Sequence, residues 1–164
     1  MNLIYDRTAE DVERALALAK KAEAGTLTDV EKAEWLAGMK GCYNAADMNR
    51  VSTAVQTLAA ELNAAGYAVE TIPQSFAETD TVRLPQWRQY LANVQALRDA
   101  YYTLAETGQL PDAEDRLDYI GANTIEKVLA DIDLLIGCMK SSYRRCGTFQ
   151  AGNNAAHLPL KGSA

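Results

Sequence analysis

Apolar residues recur along most of this chain at the three- and four-residue steps of amphipathic helices. Thr8 with Asp11 three residues on reads as an N-cap with acid in the first turn; Val12, Leu16 and Ala19 then form an apolar stripe that runs to Gly25. Thr28 with Glu31 is a capping box that opens a short helix through Trp35 and Leu36, stopping at Gly38. Asn44, with Asp47 in the first turn, opens a third helix whose apolar positions are Met48, Val51, Val55, Leu58, Leu62 and Ala65, closed by Gly66. Residues 67–83 break the period with Pro73 and several threonines, and predict a loop with at most one short strand at Tyr67-Ala68-Val69. Pro85 suits the first turn of a fourth helix, on which Trp87, Leu91, Val94, Leu97, Tyr101 and Leu104 follow until Gly108. A last helix is expected from Ile120 or Asn123 to about Tyr143, with Ile125, Val128, Leu129, Ile132, Leu135, Ile136 and Met139 as its broad apolar face.

These elements predict an all-α bundle of four to five amphipathic helices over residues 1–146. Residues 147–164 are rich in glycine, asparagine and alanine and have no period; Phe149, Leu158, Pro159 and Leu160 are their only apolar anchors. That C-terminal tail reads as either a disordered end or an arm that orders against a partner. A chain of 164 residues that is 48% hydrophobic, with 10 glycines and 4 prolines, has the composition of one globular domain and excludes collagen-like or disordered sequence.

Charge sharpens the picture. The net charge is −6, distributed as −8 over residues 1–120 and +2 over residues 121–164. Binding to nucleic acid by overall charge is thereby disfavoured, and no direct nucleic-acid partner is expected. The basic end, Lys140, Arg144, Arg145 and Lys161, reads either as helix-dipole complementarity or as a contact patch for an acidic partner. The first residues lack a basic segment followed by an apolar run, so no secretory signal is expected. The apolar run Leu134–Met139 falls short of the ~20 residues of a membrane span.

The chemistry-bearing residues are few. A single histidine, His157, excludes most histidine-based catalytic and metal sites. Cys42, Cys138 and Cys146 make no disulfide framework, and a zinc site from Cys138, Cys146 and His157 lacks a fourth ligand. The spacing permits a Cys146–His157 nucleophilic pair, but the aperiodic tail is a poor place for a catalytic base. Gly38-Met39-Lys40-Gly41 lacks the spacing of a phosphate-binding loop. The acids Asp112, Glu114, Asp115 and Asp118, and the pair Asp131 and Asp133, read as solvated surface. No enzyme activity, metal or cofactor is expected. Asn49, Asn93 and Asn123 are poor helix formers placed inside helices; they are either exposed filler or amides that bridge between helices and fix the packing register.

Several segments together resemble a family from phage and prophage structural gene clusters of Gram-positive, largely clostridial, bacteria. They are Tyr5-Asp6-Arg7-Thr8 followed by Asp11-Val12, then a stretch carrying Glu31, Trp35, Leu36, Gly38, Met39, Lys40, Gly41, Tyr43 and Asn44. Asp47-Met48-Asn49-Arg50-Val51 follows, with Met48 where relatives have Leu. Asn93-Val94 with Leu97-Arg98, the run Ala122-Asn123-Thr124-Ile125-Glu126-Lys127-Val128-Leu129, and Cys146-Gly147-Thr148 through Gly152 also fit, in order. The resemblance implies a module of tail-tip, baseplate or tail-fibre proteins with a structural role. It assigns no activity to named residues. With the sequence running to about the module's end, an assembly or connecting role is expected rather than that of a fibre or carbohydrate-binding domain.

The expectation is thus a non-enzymatic virion protein of the tail or baseplate, made in the host cytoplasm. It would act as a homo-oligomer and with other virion proteins, away from membranes. Tyr43, Tyr101, Tyr102, Phe149 and Leu158 are the candidate interface residues, with ordinary core packing as the alternative for the tyrosines. The rival is a small acidic phage protein that imitates nucleic acid and occupies a basic host protein, motivated by the −8 of residues 1–120.

Overall fold

The computed structural model describes residues 1–146, which form five helices and, among the described residues, no strand. These are α1 (Ala9–Glu23), α2 (Asp29–Ala37), α3 (Ala45–Ala64), α4 (Leu84–Ala100) and α5 (Tyr119–Cys146). The chain is all-helical, as the periodicity predicts. Each of the first three helices opens at its expected N-cap, and all three caps form full capping boxes, Thr8 with Asp11 and Asn44 with Asp47 as well as the expected Thr28 with Glu31. In each box one side chain caps a free backbone N–H while the acid returns to the cap's own N–H. Gly25, Gly38 and Gly66 follow the same three helices at φ +67°, +87° and +94°, where a side chain would be strained.

The core lies among α3, α4 and α5, which pack on one another pairwise. Val51, Leu58 and Leu62 from α3, Val94 and Leu97 from α4, and Ile125, Val128, Leu129 and Ile132 from α5 are fully buried there. α1 and α2 sit outside this trio and tie to each other through Arg14–Glu34 (2.7 Å) and Lys21–Glu31 (2.5 Å).

Three details depart from the sequence reading. α1 buries Ala15 and Leu18, whereas Leu16 is 54% exposed; the side chains that face the bundle lie to one side of the expected stripe. α4 ends at Ala100, because Tyr101 turns extended (φ −140°, ψ 174°) and sets its ring edge-on to Tyr67 at 5.0 Å. Tyr101 and Leu104 therefore lie beyond the helix. Asp131, expected on solvated surface, is buried: Thr107 donates its hydroxyl to the carboxylate and Lys127 pairs with it from one turn away. That contact pins the loop after α4 to α5.

Candidate functional site

The N-terminal segment before α1 runs along α5 and carries Arg7 into the interior, where its side chain is only 2% exposed. A buried guanidinium is costly without partners. Its Nη2 donates to Asp47 Oδ1 (3.1 Å) on α3 and to Glu126 Oε1 (2.8 Å) on α5, and its Nε donates to the carbonyl of Lys40 (3.1 Å). Arg50, one turn along α3 from Asp47, completes the group. Its Nη2 reaches Glu126 Oε1 (2.8 Å) and Asp47 Oδ1, and its Nε reaches Glu126 Oε2 (3.1 Å). The second carboxylate oxygen of Glu126 also accepts the backbone N–H of Ile4 at 2.6 Å. Two guanidiniums thus face two carboxylates, and the fully buried Glu126 stands at the centre. Burial pulls the Arg50 pKa down, but its bonds to Glu126 and Asp47 outweigh this and hold it above the usual arginine range.

The surroundings close this group in. Tyr43 lies beneath the Arg7 guanidinium, 5.3 Å from ring centre to charge, and shares a 2.6 Å hydrogen bond with the Tyr90 hydroxyl. Burial pushes both phenols above their ordinary range. Lys40 pairs outward with Asp6 (2.8 Å) and Asp11 (3.7 Å). Gly41 presses its backbone against α1: a Cβ there would lie 2.0 Å from the carbonyl oxygen of Asp11. No side chain fits at that approach.

A second device recurs four times. Asn123 on α5 accepts the N–H of Arg7 (3.0 Å) through its amide oxygen and donates to the same residue's carbonyl (2.8 Å) through its amide nitrogen. Asn63, Asn49 and Asn93 do the same to Val69, Phe76 and Ile72, at 2.8–3.0 Å. A primary amide carries a donor and an acceptor side by side, so it can replace a neighbouring strand for one extended residue. Residues 69–76 cross α3 and α4 with no strand partner, and three of these amides hold them. The asparagines do bridge; they join helices to extended backbone rather than helix to helix.

The sequence-expected residues sort as follows. Lys40, Gly41, Asn44, Asp47, Arg50, Asn123 and Glu126 converge with Arg7 on the charged group or its immediate supports. Asn49 belongs to the strap over residues 69–76, Gly38 closes α2, and Trp35 stands 36% exposed on α2, away from the group. Tyr43 is engaged internally, Tyr101 packs on Tyr67 and against Met139, and Tyr102 is 76% exposed. Phe149, Leu158 and His157 lie outside the described residues. Asn63, Tyr90 and Thr107 went unmarked in the sequence; Asn63 sits just before a glycine stop, where asparagine looks ordinary.

Chemically the group is saturated: both carboxylates are fully engaged by guanidinium and backbone donors, and their charges cancel. It can fasten the N-terminal segment and the α2–α3 connection to α3 and α5. Among the described residues no three His, Cys, Asp or Glu side chains gather as a metal site. No helix among them is long and apolar enough to cross a membrane. The surface carries several shallow concavities, one of them of about 540 Å³ lined by Tyr43, Met48, Val82, Leu84, Trp87 and Leu117. Comparison with protein-family models, curated proteins and solved structures gives no match.

Proposed function

We propose that this chain is a non-enzymatic structural component of a bacteriophage or prophage virion, in the tail or baseplate, acting through contacts with further copies of itself and with other virion proteins. The observation that carries the reading is the direction in which the two kinds of side chain face. The charged residues at the centre of the resemblance, Arg7, Asp47, Arg50 and Glu126, turn inward and satisfy one another. Large apolar side chains, among them Leu16, Val30, Leu36 and Leu84, remain outside at 41–83% exposure. Exposed apolar surface beside polar rims is what protein contacts use. A rigid body repeated by symmetry supplies such surfaces in register. The resemblance across residues 3–152 supplies the virion setting.

The test is quantitative mass spectrometry of particles purified after prophage induction in the source bacterium. The protein is expected at a fixed copy number per particle, matching a ring of the tail or baseplate. Its absence from purified particles, while present in the induced cells, overturns the proposal.

A further inference from the structure

The molecule has two parts held by different means. α3, α4 and α5 interlock through one continuous apolar cluster, and among the described residues neither α1 nor α2 packs on them to a comparable extent. α1 buries Ala15 and Leu18, and neither joins that cluster. Glu31 is the buried residue of α2, while Val30 and Leu36 stand 79% and 83% exposed. Where α1 faces the start of α5, Ala15, Leu16 and Ala19 lie across from Leu117 and Ala122 around a cavity of about 480 Å³. An unfilled seam forfeits the dispersion contacts that close packing supplies.

The inward-facing bonds that cross between the parts centre on Arg7. Its side chain donates to Asp47 and Glu126, its backbone exchanges two bonds with Asn123, and the N–H of Ile4 also goes to Glu126. Leu3 rests on the edge of the apolar cluster. At the other end the chain rejoins the trio at Tyr43, which bonds Tyr90, and at Asn44, which caps α3. Between α2 and Tyr43 lie residues 38–42, with Gly38 at φ +87° and Gly41 set against the Asp11 carbonyl.

Few buried apolar contacts and a handful of directional bonds make a region that opens at lower cost than a packed core. α1 has 15 residues and α2 has 9, lengths at which a helix without support is marginal in water. Once detached, both unravel. We infer that residues 1–37 form a latched flap, with Arg7 as the latch and residues 38–42 as the hinge, which leaves and unravels as one unit while α3, α4 and α5 stay folded. Opening turns Asp47, Arg50 and Glu126, enclosed in the closed form, towards water. The flap is a property of the fold and holds whether or not the chain belongs to a virion.

Native-state hydrogen exchange of the full chain across low urea concentrations tests it. The amides of α1 and α2 are expected to share one urea dependence, with protection at least about 100-fold below that of the slowest amides of α3, α4 and α5. Ile132→Val, in the centre of the trio, should speed those slowest amides about two- to tenfold and leave α1 and α2 unchanged. Arg7→Met should speed α1 and α2 at least about tenfold, because it leaves two buried carboxylates to Arg50 alone. Arg7→Lys keeps the charge without the fork, and acts in the same direction should Arg7→Met fail to fold. Equal protection of all five helices overturns the inference. So does a response of α1 and α2 to Ile132→Val that matches the trio's, which would make the molecule one cooperative body. Separate urea dependences for α1 and α2 overturn the single unit, and exchange indifferent to both Arg7 variants overturns the latch. None of these results bears on whether the protein is found in particles, so the two readings fail separately.

Discussion

Replacing Glu126 by glutamine keeps the shape of the side chain and removes one negative charge from a site with 0% exposure. Glu126 accepts from Arg7 Nη2, Arg50 Nη2, Arg50 Nε and the N–H of Ile4. Glutamine offers one oxygen, so its amide N–H₂ must face two of those donors. Two guanidiniums would then share Asp47 as their only carboxylate. Removing one partner of a buried pair costs about 3–5 kcal/mol. Arg50 keeps 22% of its side chain in water and can recover some hydration, which places the loss near the lower end, about 3 kcal/mol. Urea unfolding followed by circular dichroism reads this out. With a slope of about 2 kcal/mol per molar, the midpoint should fall by about 1.5 M. Glu126→Gln combined with Arg50→Met should show a coupling energy above about 1 kcal/mol, because the two act on one another. A midpoint loss under about 0.3 M would mean that the group is solvated like a surface pair, and would refute the reasoning.

Other substitutions probe the remaining devices. Asn49→Leu strands the N–H and carbonyl of Phe76 and should cost about 1–3 kcal/mol by thermal or urea unfolding; an unchanged midpoint contradicts the clamp. Gly41→Ala should destabilise by at least about 2 kcal/mol, because its methyl would overlap the Asp11 carbonyl. Gly137→Ala should instead stabilise by about 0.5–1 kcal/mol, since that position is helical and its Cβ meets nothing within 4 Å. Glu31 is held down to about 2 by its bond to the Lys21 ammonium and then by the Thr28 backbone N–H. A carboxylate with a depressed folded pKa stabilises fully above its ordinary value, so this contribution is lost as the pH falls from about 4.5 towards 2. NMR titration of the Glu31 carboxyl should show a midpoint well below 4.5.

The capping boxes, the glycine stops and the five-helix order were legible because each is decided within a few neighbouring residues. Facing was harder to read. Leu16 fits a helical stripe as well as Leu18 does, and only the position of the bundle selects Leu18. Tyr101 continues the period of α4, yet its contact with Tyr67, 34 positions earlier, takes it off the helix. Arg7, Asp47 and Glu126 stood in separate segments of the resemblance, but nothing local announces that residues 119 apart meet in one buried group. The asparagines were visible as an anomaly: helix interiors disfavour them, which left exposed filler and a bridging role both open. Its form was hidden, because the partners are main-chain groups of Ile72 and Phe76, which carry no sequence signal.

The account turns on the claim that side chains, rather than a sheet, fasten the extended segments to the three-helix core. Native-state hydrogen exchange measures this at the amides concerned: Ile4 and Arg7 at one end, Val69, Ile72 and Phe76 on the strap. All five are predicted to be protected well above their chemical exchange rates. In Glu126→Gln the protection of Ile4 and Arg7 should collapse while that of Ile72 and Phe76 persists. Exchange of these amides at unprotected rates in the wild-type protein would contradict the account.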